Sequence, residues 1–116
     1  MLTETQYGPA VNWTVTGEKE PRPAALHVVL HKRTYVFPWP RLIYAEGSAD
    51  HAIISFPTHE VVATGFGLGH LIADVAAQRL SSLHEPHRAD RFRAAGEPEP
   101  KAAITDLAVR EVVDEQ

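Results

Sequence analysis

The sequence predicts an α+β domain: a mostly antiparallel β-sheet of five or six strands wound as a meander, with one amphipathic helix packed on one face. Three observations predict it. Short runs of β-branched and aromatic residues between residues 26 and 65 are separated by clusters of Gly, Pro, Ser and Asp. From Leu68 the apolar spacing changes to three and four. A β-branched run then returns at 103–113.

Residues 1–25, rich in Thr, Gly, Pro and Glu, read as a flexible N-terminal segment with one short strand at Val11 to Thr16, its Trp13 turned inward. Residues 17–23, "GEKEPRP", are a linker by composition. Residues 26–113 form a single α+β domain, and 114–116 are the end of an acidic tail.

Within the domain, "LHVVLHK" alternates, with Leu26, Val28 and Leu30 on one face and His27, Val29 and His31 on the other. Tyr35, Phe37 and Trp39 share the next face, and Pro38 and Pro40, which cannot donate to a ladder, place this run at a sheet edge. "RLIYAE" is a strand, "EGSADH" a turn, "HAIISF" a strand, "PTHE" a turn and "VVATG" a strand. Leu68, Leu71, Ile72, Val75, Ala76, Leu80 and Leu83 then mark one helix, which Pro86 stops. Residues 84–100 read as a polar connector. The run at 103–113 favours a last strand, although Ile104, Leu107 and Val112 could also line a short helix. Leu30, Val36, Ile43, Ile53, Val61, Leu71, Ile72, Val75 and Leu80 are the expected core.

The totals exclude several chemistries. The chain of 116 residues has no cysteine, which removes thiol catalysis, disulfides and thiolate metal sites. No apolar run is long enough to span a bilayer and no basic, apolar leader opens the chain, so a cytoplasmic location and no membrane contact are expected. The net charge of −4 divides as −1 over residues 1–25, +1 over 26–94 and −4 over 95–116. An overall acidic balance disfavours nucleic acid as a partner, because phosphate contacts need a basic surplus.

"GFGLGH" follows an apolar run and opens the helix, so Gly65, Gly67 and Gly69 are candidates for holding an anion on exposed amides. The dinucleotide pattern is incomplete, since its third glycine falls on His70. Turn geometry, which needs a left-handed residue, explains the glycines more simply. No bound cofactor is expected. His84, Glu85 and His87 have the donor types for a metal, but Pro86 bars their helical arrangement. His27 and His31 stand about 13 Å apart on a strand, too far for one ion, whereas His51 and His59 could pair across a hairpin. Ser48, Asp50 and His51 are neighbours in one turn and lack the long-range assembly of a catalytic triad. Arg79, Arg88, Arg91 and Arg93 are candidate phosphate contacts, diluted by Asp90.

Residues 35–75 resemble the LytTR family of DNA-binding modules: Ile43-Tyr44-Ala45-Glu46 matches that family's characteristic strand, and Gly67-Leu68 the opening of its helix. The resemblance implies a strand, strand, hairpin, helix topology and DNA binding. The family's His-Arg-Ser element after the helix is echoed here only by His87-Arg88, so no contact residues are transferred.

With no assembled catalytic constellation and no complete cofactor motif, the expected function is a small non-enzymatic binding or regulatory module. It would act through protein contacts, with self-association through the proline-marked edge strand. The alternatives are a nucleic-acid module using the Arg79 to Arg93 region and a small metal-dependent enzyme using His84, Glu85 and His87.

Overall fold

The computed structural model describes residues 10–87 and 100–112. The described elements run β1 (Trp13–Val15), β2 (Ala25–Val29), β3 (Thr34–Pro38), a 3-10 turn (Trp39–Arg41), β4 (Tyr44–Gly47), β5 (His51–Ser55), β6 (His59–Phe66), α1 (Gly69–Ala76), β7 (Leu80–His84) and β8 (Ala103–Glu111). The fold is α+β and mostly antiparallel, with a single helix among the described residues.

The strands form two four-stranded sheets, ordered β1-β7-β2-β3 and β4-β5-β6-β8, rather than one sheet of five or six. The division falls at the prolines. Pro38 ends β3, Pro40 sits within the 3-10 turn, and the chain restarts as β4 in the second sheet. Within the first sheet β2 and β7 are parallel, with Val28 opposite Leu83, and every other strand pairing is antiparallel. β1 joins this sheet through β7, which places Trp13 in the core at 5% exposure.

The helix is shorter than its apolar spacing predicts. It ends at Ala76, and Leu80 and Leu83 belong to β7. The stop is a Schellman motif. Gln78 adopts a left-handed conformation (φ 61°), its N–H donates to Val75 O at 2.9 Å, and Arg79 N–H donates to Asp74 O at 3.1 Å. The chain thus reverses on a non-glycine residue, which composition does not reveal. A strand follows where the sequence suggested continued helix and a polar connector.

One core joins both sheets and α1. Leu26, Val28 and Leu83 of the first sheet, Ile54, Val61, Ile104 and Leu107 of the second, and Leu71 and Val75 of the helix are all buried in it. Among the nine expected core residues, Val61, Leu71, Val75 and Leu80 are buried, while Leu30 and Ile72 are partly buried against the core. Val36 and Ile43 are exposed, at 54% and 59%. Val36 takes the face of β3 opposite to Tyr35 and Phe37, and Ile43 precedes the edge strand β4. Ile53 is only half-buried because the inward phase of β5 belongs to Ala52 and Ile54. Among the described residues no helix is long and apolar enough to cross a membrane.

Candidate functional site

An aromatic surface feature lies between β3 and the turn that joins β5 to β6. Tyr35 and Phe37 project from the inner face of β3, two residues apart as strand geometry requires. Their rings stack at 5.7 Å with an interplanar angle of 5°. Phe37 stacks in turn on Phe56 at 4.5 Å and 11°. His59 tilts against both, at 5.4 Å from Tyr35 and 5.7 Å from Phe37. Trp39 meets Phe56 at 6.0 Å, and its indole N–H donates to Leu80 O at 3.1 Å. Thr58 Oγ1 lies 2.8 Å from His59 Nδ1, which sets the imidazole orientation. Tyr35, Phe37, Phe56, Thr58 and His59 line a groove of about 380 Å³, together with Arg41 and Pro57.

The backbone beside this groove is open. β3 is the last strand of its sheet. Leu30 N–H donates to Arg33 O at 2.9 Å, and Trp39 N–H to Ala24 O at 3.0 Å, which sets the phase of the β2–β3 ladder. In an antiparallel pair, hydrogen-bonded and non-hydrogen-bonded partners alternate. Tyr35 and Phe37 therefore bond across to Val28 and Leu26. Thr34 and Val36 point their N–H and C=O away from β2, and Pro38 offers a carbonyl alone. The free edge thus carries two donors and three acceptors, with no backbone partner among the described residues.

The sequence-derived candidates are placed as follows. At the glycine loop, Gly65 N–H donates to Asp50 O, Leu68 N–H to Ala49 O and His70 N–H to Gly67 O, so these amides serve the fold. A side chain at Gly65 would run into Ala103 O, and one at Gly67 (φ 66°) would meet Lys101 O at 2.5 Å. Both glycines allow close backbone approach to the start of β8, whereas Gly69 faces open space.

The histidines do not converge. His84 Nε2 lies 2.9 Å from Ser82 Oγ on the same strand. The Glu85 carboxylate accepts from His31 N–H at 2.8 Å, and His31 Nε2 donates to Pro86 O at 3.0 Å. The His87 ring stacks on that of His31 at 4.7 Å and 18°. Nitrogen lone pairs lie in the ring planes, so near-parallel stacked imidazoles cannot aim at one ion. Among the described residues no group of three His, Cys, Asp or Glu could hold a metal. His51 and His59 start successive antiparallel strands and stand at opposite ends of the hairpin. In the turn before β5, Ser48 Oγ donates to Asp50 Oδ1 at 3.0 Å and Ser48 N–H to His51 O at 2.7 Å, an arrangement that closes the hairpin. The Arg79 guanidinium donates to Gly17 O at 2.6 Å and so anchors the linker after β1. Arg88, Arg91 and Arg93 lie outside the described residues.

The row Tyr35, Phe37, Trp39 and its edge position were legible in the sequence; the contributions of Phe56, His59 and Arg41 were not. One signal was available. Residues 21–45 contain Arg22, Lys32, Arg33 and Arg41 and no acidic residue, a local reversal of the overall charge. The chain matches no protein-family model, no curated protein and no solved structure. The LytTR-like pattern therefore rests on residues 35–75 themselves.

Proposed function

We propose that this chain is a small non-enzymatic binding module that captures an extended segment of another protein along the open edge of β3. One apolar side chain of that segment sits in the aromatic groove. The observation that carries this reading is the coincidence of the free N–H and C=O groups of Thr34 and Val36 with the groove lined by Tyr35, Phe37, Phe56 and His59. Strand addition uses these two ingredients, with main-chain bonds for affinity and a pocket for selectivity.

The other edges are guarded. β8 bears a bulge and the exposed charges Asp106, Arg110 and Glu111; β1 is three residues long and bulged against β7; and β4 is short and ends on Gly47. A single-stranded nucleic acid fits the groove less well. Base stacking needs a free ring face, and Phe37, 7% exposed, already stacks on Phe56 and Tyr35.

The test is selection of random peptides on the purified chain, followed by affinity measurement on Val36→Pro. Proline at position 36 removes an edge donor without breaking a β2–β3 bond, so the ladder that holds β3 is kept, which the circular dichroism spectrum and melt of the variant check. Selected peptides should bind Val36→Pro about tenfold more weakly, the loss of one well-placed hydrogen bond and local fit. Equal binding to both proteins, or binding of a thymidine oligonucleotide in place of peptide, overturns the proposal.

A further inference from the structure

Resting on the β3-edge reading above, we infer that the captured segment is acidic, with Asp or Glu on both sides of one apolar anchor. The two rims of the groove differ in charge. Arg33 and Arg41, on the β3 side, are both exposed. The Arg33 guanidinium sits 5.9 Å from the centre of the Tyr35 ring and donates to Tyr35 Oη at 3.5 Å, which holds a cation at the mouth of the groove. Arg41 reaches the margin from the 3-10 turn.

Near His59 the hairpin side carries Glu111, beyond a paired Glu60 and Arg110. Glu60 is answered within the fold, accepting from Arg110 Nε at 2.8 Å and lying 2.7 Å from its second terminal nitrogen. Glu111 is exposed and stands in register with His59. An acidic segment on β3 thus lies beside two cations, Arg33 and Arg41, while Glu111 repels it from the hairpin side. This charge asymmetry selects the edge the segment follows and raises its rate of encounter. A basic segment meets the reverse. A second copy of this chain, paired edge to edge, would bring another Arg33 and Arg41 against the first pair, which like-charge repulsion disfavours.

Three labelled peptides of equal length test this by fluorescence anisotropy. One carries Asp and Glu around a leucine, the second replaces the acids with lysine, and the third keeps the acids but replaces leucine with serine. The acidic leucine peptide should bind at least about tenfold more tightly than its lysine counterpart, and should weaken as salt is raised. Arg33→Glu/Arg41→Glu, changes confined to exposed side chains, should reverse the preference toward lysine. The serine peptide should bind more weakly than the leucine one. If all three bind alike and Val36→Pro weakens all of them, the edge reading stands and the acidic inference falls. If none binds, both fall. If sedimentation shows a dimer that Val36→Pro dissolves, a second copy occupies the edge and the acidic inference is overturned.

Discussion

Phe56→Ala is expected to lower the unfolding free energy by about 3–5 kcal/mol, the usual cost of emptying a buried aromatic site. Phe56 is 2% exposed and touches Phe37 at 4.5 Å and Trp39 at 6.0 Å, so it joins the end of β5 to the edge strand of the other sheet. A domain of this size is typically stable by only about 5–15 kcal/mol, so the loss is a large part of the total. Urea unfolding should show the midpoint falling with little change in slope. Phe56→Leu should retain more than half of the lost stability, because it refills most of the volume. The same variant tests the groove. With Phe56 gone, Phe37 loses the ring it stacks on, and peptide affinity should fall even where the protein remains folded. An alanine variant with full stability would mean that the two sheets do not share this contact.

Gly65→Ala is the second large effect. Its added methyl would run into the carbonyl oxygen of Ala103 in β8, a backbone atom that cannot rotate away. Relief requires β6 and β8 to separate beside the bulge, where their backbones approach closely, and such overpacking costs about 1–3 kcal/mol or more. Gly69→Ala supplies the contrast: nothing lies within 4 Å of its added Cβ, and the residue opens α1. Alanine there should be neutral or stabilising by up to about 1 kcal/mol. Thermal melts of the two variants should move apart. Equal melting temperatures would remove the packing explanation of the glycine loop.

Much of the strand pattern was legible in the sequence because its period is two and its breaks are marked by Gly, Pro, Ser and Asp. Two places misled, for one reason. In β7, Leu80 and Leu83 both face the core although three residues apart. The register places Ser82 opposite Thr14 and Leu80 opposite Val15, so Ser81 is an extra bulged residue. The Thr14 hydroxyl meets both Ser81 and Ser82 hydroxyls and fastens the bulge. In β8, Ile104 and Leu107 are likewise buried at a spacing of three. There Thr105 is the extra residue, with its hydroxyl donating to Thr64 O at 3.2 Å. A bulge converts a strand's spacing of two into a helix-like three. That is why the helix appeared to run on to Leu83, and why 103–113 fitted both patterns.

The candidate site was legible only in part, because it is assembled across sheets. The row Tyr35, Phe37, Trp39 and the edge prolines lie in one segment and can be read from it. Phe56 and His59 are brought to that row by the packing of a second sheet: the prolines mark where β3 ends, but no local pattern says that the strands after them fold back over it. Which edge amides are free depends on the phase of the β2–β3 ladder, and hence on the bonds that close it at Arg33 and Trp39.

The most direct measurement is residue-resolved amide hydrogen exchange by NMR, on the free chain and with the acidic leucine peptide bound. In the free chain the Thr34 and Val36 amides should exchange fast, while Tyr35 and Phe37, bonded to β2, exchange slowly. With peptide bound, Thr34 and Val36 should become protected and Tyr35 and Phe37 should stay slow. Protection that falls on β4 or β8 and leaves Thr34 and Val36 unchanged would contradict capture at the β3 edge.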